Sequence, residues 1–109
     1  MNYKQGHRSF ALAHPPTIAA WASVVGKKEG EGPLASYFDK IIEDPYFGEK
    51  TWEFAERKLQ QITLNTLIQK AGLGMAEIPL LLSGDLLNQC VGSSMSVNNM
   101  NIPHLGIFQ

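Results

Sequence analysis

An apolar run of strand length, Ile78-Pro79-Leu80-Leu81-Leu82-Ser83, breaks abruptly into Gly84-Asp85-Leu86-Leu87-Asn88-Gln89. A strand that is apolar on both faces needs cover on both faces, which places it inside a parallel sheet. The glycine and polar residues behind it mark the carboxyl edge of that sheet, where α/β proteins keep their binding sites. The sequence closes on a second run of this kind, Leu105-Gly106-Ile107-Phe108. Such a strand normally feeds a crossover, so the expectation is the front part of a larger domain.

The segments before the first run supply the rest of an α/β pattern. Thr17 to Val25 is largely apolar and reads as an interior strand. Gly26 to Gly32 reads as a solvated loop. Pro33 suits a first helical turn, and Leu34, Tyr37, Phe38 and Ile41 follow at i, i+3, i+4 and i+7. This predicts a short helix from Pro33 to about Ile42, stopped by Glu43-Asp44-Pro45. A long helix follows. Thr51 caps it, Glu53 and Glu56 sit near its positive end, Lys70 falls in the last turn and Gly72 supplies a left-handed stop. Its apolar stripe runs through Trp52, Ala55, Leu59 and Ile62, and widens through Leu64, Leu67, Ile68 and Ala71. A short or irregular helix is expected across Leu87–Met100. The order is strand, helices, strand, helix, strand: an α/β chain of βαβαβ layout with a mostly parallel sheet and right-handed crossovers.

Composition narrows the function classes. The 109 residues are 44% hydrophobic and 17% charged, ordinary values for one globular domain or part of one. A net charge of −1, from 9 basic and 10 acidic residues, gives no bulk field towards nucleic acid or acidic lipid. The aromatic residues are not interleaved with a basic stripe, so no nucleic-acid surface is expected. No run approaches the ~18 apolar residues of a membrane span. Lys4 and Arg8 before Phe10-Ala11-Leu12-Ala13 faintly resemble a secretory signal, but His14-Pro15-Pro16 interrupts the apolar core.

Little of the remaining sequence carries recognisable chemistry. The Gly26–Gly32 loop lacks the Gly-Lys-Ser/Thr ending of a phosphate loop and the Gly-x-Gly-x-x-Gly spacing of a dinucleotide turn. His7, His14 and His104 have no metal-site spacing, so no metal is expected. Cys90 is the single cysteine; it has no histidine near it in sequence and reads as a small packing residue. Asp85, Asn88 and Gln89 are the candidate ligand-binding residues. Two readings stand side by side: they line a pocket at the sheet edge, or Asp85 caps the next helix and Asn88 bonds nearby backbone.

Several segments then fall into one register. They are Val24-Val25-Gly26, Glu29-Gly30-Glu31-Gly32-Pro33-Leu34, Phe38-Asp39, Tyr46-Phe47-Gly48-Glu49-Lys50, Trp52-Glu53 and Ala55-Glu56-Arg57-Lys58. Lys70-Ala71-Gly72-Leu73, Gly84-Asp85-Leu86-Leu87-Asn88-Gln89 and Ile102-Pro103-His104-Leu105-Gly106 complete the series. On these motifs the chain resembles the N-terminal part of the stage V sporulation protein AD family, from about Val24 to Phe108. Two stretches depart from the family pattern: Ala19 to Ser23, and Ser93 to Met100.

The resemblance implies a partial thiolase-like fold, with residues 1–16 as a disordered lead-in and residues 17–109 as the N-terminal part of a truncated thiolase-like domain. It implies a non-catalytic sporulation protein that binds dipicolinic acid and acts with other stage V sporulation proteins of the same operon. The resemblance further implies that these proteins load the solute into the forespore from the periphery of its inner membrane, on the cytoplasmic side. No cofactor is implied. The position of the thiolase nucleophile lies just beyond the Leu-Gly strand, so Cys90 is not that cysteine and most of the family's ligand contacts have no counterpart here. Two rivals remain open: the front half of a thiolase or ketoacyl-synthase acyltransferase, and an interaction module that self-associates through an exposed sheet edge.

Overall fold

A computed structural model describes residues 3–85 and 90–107. The chain is mixed α/β, with two parallel strand pairs and three α-helices among the described residues. Strand β1 (Tyr3–Gln5) and β2 (Ser9–Ala11) form an antiparallel hairpin within the stretch expected to be a lead-in. Strand β3 (Val24–Gly26) pairs in parallel with β4 (Lys40–Ile42) across helix α1 (Lys27–Gly30). Helix α2 (Trp52–Ala71) leads to β5 (Leu81–Gly84), and α3 (Val91–Val97) leads to β6 (His104–Ile107). Strands β5 and β6 run parallel, with Leu82 opposite Leu105 and Gly84 opposite Ile107.

Local signals decide α2. The Thr51 hydroxyl accepts from the Phe54 N–H at 3.2 Å, a cap that contributes about 1 kcal/mol. Gly72 closes the helix at φ 69°, and the N–H groups of Gly72 and Leu73 return to the carbonyls of Gln69 and Ile68. The buried residues cluster where α2 meets α3: Ala55 and Thr66 on α2, with Gly92, Ser93, Ser96 and Val97 on α3. Gly92 permits this approach, because a Cβ there would stand 3.2 Å from Glu56 Cγ.

The helix expected from Pro33 to Ile42 does not form. A single 3₁₀ turn, Ala35–Tyr37, gives way to strand β4. Leu34 and Tyr37, the first members of the apolar stripe, are exposed. The β-branched pair Ile41-Ile42 instead finds a parallel partner in Val25 and Gly26, and tertiary pairing overrides the helical period. The expected strand from Thr17 shrinks to Val24–Gly26, and the expected Gly26–Gly32 loop contains α1. Gly30 is required at that crossing, because a Cβ there would collide with the Ile41 side chain.

One polar knot ties the β3–β4 unit to the end of α2. Asp39 accepts from the Ser23 N–H at 2.8 Å and from Lys70 Nζ at 2.8 Å. The Lys70 hydrogen bond, followed by that from Ser23, holds the Asp39 carboxyl below the 3.8 of a free aspartate side chain. A carboxyl lowered on folding adds stability above its unfolded pKa, and that stability disappears as pH falls through the folded one. Melting temperature is therefore expected to drop on acidification below 3.8 partly through this group. A Lys70→Met chain should show a shallower drop over about pH 2–5. Parallel melting curves for the two chains would contradict the assignment.

Candidate functional site

The carboxyl end of β5 opens onto a cleft of ≈ 610 Å³ lined by Pro45, Phe47, Trp52, Ala55, Glu56, Leu59 and Asp85. Its aromatic wall is built by a short loop. Asp44 accepts from the N–H groups of Tyr46 (2.9 Å) and Gly48 (2.7 Å), which folds the chain back on itself. The fold-back puts Phe47 at φ 55° and Gly48 at φ 77°, the left-handed region that Gly48 occupies without steric cost. Tyr46 stacks on Trp52 with ring centroids 4.1 Å apart, which fixes this loop against the first turn of α2.

Asp85 stands at the floor of the cleft. Its Oδ2 accepts from the Ser93 N–H at 2.9 Å, in the first turn of α3. The residue preceding that helix, Cys90, offers no side-chain cap, so Asp85 satisfies a helix N-terminus from eight residues upstream. Its Oδ1 is buried and has no hydrogen-bond partner among the described residues. Glu56 lines the same cleft and accepts from Gln60 Nε2 at 3.0 Å. Among the described residues the lining thus carries two carboxylates and no cation. Lys27 and Lys28 lie in an adjoining cavity of ≈ 370 Å³ that shares Pro45 and Phe47. Lys27 faces Glu31 there at 3.9 Å.

Of the three candidates read from the sequence, Asp85 lines the cleft and also caps α3. Asn88 and Gln89 lie outside the described residues. Glu56 was legible only as a helix-start acid, since nothing local ties it to a residue beyond the next strand. A second polar contact had no local signal at all. Ser83 Oγ and His104 Nε2 lie 2.6 Å apart, brought together because parallel pairing puts β5 and β6 in register. Cys90 is buried at φ 74° and donates its thiol to the Ile107 carbonyl at 2.8 Å, a packing role. Among the described residues no three His, Cys, Asp or Glu side chains gather as a metal site, and no helix is long and apolar enough to cross a membrane.

Comparison with known proteins adds two findings. The pattern that defines the stage V sporulation protein AD (SpoVAD) family matches residues 6–109. Stage V sporulation protein AD of Bacillus subtilis (strain 168) is 38% identical over 103 residues, covering 94% of this chain and 30% of that relative. The chain therefore spans about a third of the length of the curated relative it matches.

Proposed function

The chain belongs to the stage V sporulation protein AD family, and from that premise we propose that it is the N-terminal scaffold portion of a dipicolinate-binding sporulation protein. In this reading the whole protein is non-catalytic and has a thiolase-like fold. It works with other stage V sporulation proteins at the periphery of the inner forespore membrane, where it helps load dipicolinic acid. The observation that carries the reading is a family match over residues 6–109.

Charge argues that this portion supports the ligand site and does not form it. Dipicolinate is a flat pyridine ring with two carboxylates. The cleft beside Asp85 is walled by Phe47 and Trp52, but among the described residues its ionisable groups are Glu56 and Asp85. Two like charges ~4 Å apart repel by about 4 kcal/mol at an effective dielectric constant of 20, more than a single ring stack returns. In this reading the groups that neutralise the ligand lie outside this lining, and Lys27 in the adjoining cavity already faces Glu31.

Calorimetric titration tests this division of labour. The chain alone is expected to give no binding heat with dipicolinate at concentrations up to roughly 1 mM. A full-length family protein should bind in the same buffer. Saturable binding by the 109-residue chain would show that the cleft holds the dianion after all. Absence of binding by the full-length protein would remove the dipicolinate reading.

A further inference from the structure

A groove of ≈ 370 Å³ runs between α2, α3 and β5, and three hydroxyl side chains line it: Thr63, Ser83 and Ser96. Thr63 donates to the Leu59 carbonyl at 2.8 Å and Ser96 to the Ser93 carbonyl at 2.7 Å. These are back-bonds within helices, and a carbonyl does not take a proton away. Ser83 differs. Its Oγ lies 2.6 Å from His104 Nε2, within the reach of a nucleophile and its base. With the ring proton on Nδ1, Nε2 accepts from the hydroxyl.

Strand register builds this pair. Ser83 lies opposite Gly106 and His104 opposite Leu81, so the serine and the histidine are diagonal neighbours on one face. Gly106 leaves the imidazole room to lean across, since a Cβ there would stand 3.9 Å from His104 Cε1. Both partners are half-buried. Cys90, on the other flank of Gly106, is buried with its thiol bonded to the Ile107 carbonyl and does not compete. Leu59, Leu64, Leu67, Leu81 and Val97 make the groove aliphatic, and among the described residues no ionisable side chain lines it.

We propose that Ser83 is a site of covalent acylation, with His104 as its base and the groove as the seat of the acyl chain. The donor is an uncharged aliphatic acyl group activated as a thioester or an aryl ester. Ser83 Oγ attacks the carbonyl carbon and passes its proton to His104 Nε2. The bond from that carbon to sulfur or oxygen breaks, and the leaving group keeps the electron pair and takes up the proton. A serine ester remains, and nothing is oxidised or reduced. One acylation is a modification and not turnover, so it is compatible with a non-catalytic protein. The inference does not depend on dipicolinate.

Reaction of the 109-residue chain with p-nitrophenyl octanoate tests it. One equivalent of p-nitrophenolate should appear in a burst, and peptide mapping by mass spectrometry should place the octanoyl group on Ser83. The acetyl ester leaves the groove unfilled and should react more slowly by on the order of 10-fold. Ser83→Ala should lose both burst and label. His104→Gln keeps a polar side chain without a base, and labelling should slow by about 100-fold. Octanoyl groups on lysines or on Cys90 in place of Ser83 would overturn the inference, and that result is read on the parent chain without any variant. Equal labelling rates in the parent and His104→Gln chains would overturn it too. Continued release beyond the first equivalent, abolished by Ser83→Ala, would support Ser83 as the nucleophile and remove the non-catalytic reading alone.

Discussion

A Gly84→Val chain is expected to lose about 3 kcal/mol of folding stability, with loss of the β5–β6 pairing at its carboxyl end. Gly84 does not need an unusual backbone angle. Its constraint is space: a Cβ at this position would sit 2.8 Å from the Ile107 carbonyl oxygen and 3.2 Å from the Ile107 Cβ. The carbonyl oxygen belongs to a hydrogen-bonded strand and cannot swing aside as the tip of a flexible side chain can. Relief requires the two strands to separate where Gly84 pairs with Ile107. That movement also releases the Ile107 carbonyl from the Cys90 thiol and displaces Asp85 from α3. With total stabilities of about 5–15 kcal/mol for ordinary domains, such a loss is a large fraction of the whole. Urea unfolding measures it. Gly26→Ala is the matched control, since a Cβ there meets nothing within 4 Å and no positive φ opposes it. It should change stability by about 0.5 kcal/mol or less. A Gly84→Val chain as stable as that control would mean that β5 and β6 do not pair as described.

The parts of this fold that were legible in the sequence are those set within a few residues. Helix α2 announces its start at Thr51 and its stop at Gly72, and both caps form as their chemistry requires. The parallel β5–β6 pair follows from two short apolar runs flanked by turn residues. Failures of the local reading concentrate at Thr17–Ile42, where distant partners decide. Asp39 reaches back 16 residues to Ser23 and forward 31 to Lys70, and β4 forms beside β3 in spite of a helical period. The same distinction holds at the cleft. Asp85 stood out because it follows a strand-ending glycine, and the aromatic link at Tyr46–Gly48 stood out by composition. The meeting of Glu56 with Asp85, and of Ser83 with His104, depends on how α2 and β6 lie against β5, and spacing along the chain does not encode that.

Asp85 offers the second large effect, and it separates the two readings of that residue. Ser93 is fully buried, and its N–H points at Asp85 Oδ2 from the first turn of α3. Replacing Asp85 by Ala leaves this buried donor without an acceptor, at a cost of about 1–3 kcal/mol. Asn keeps an acceptor oxygen in the same place. It gives up the interaction of a negative charge with a helix N-terminus, worth about 0.3–1 kcal/mol. Against that loss stands a gain. Asp85 Oδ1 is buried without a partner among the described residues, and the Glu56 carboxylate lines the same cleft. Removing the Asp85 charge relieves the repulsion between the two carboxylates, and the neutral Asn Nδ2 that takes the place of Oδ1 costs less to bury without a partner than a charged oxygen does. The opposing effects are of similar size, so Asp85→Asn should lie within about 1 kcal/mol of the parent chain, while Asp85→Ala lies about 2 kcal/mol below it. Urea titrations of the three chains give the order directly. If Ala and Asn are equally tolerated, the carboxylate is not the cap of α3. Its place at the strand end would then have to be explained by what the cleft holds in the whole protein, and the Asn chain, still folded, would be the variant in which to measure that loss.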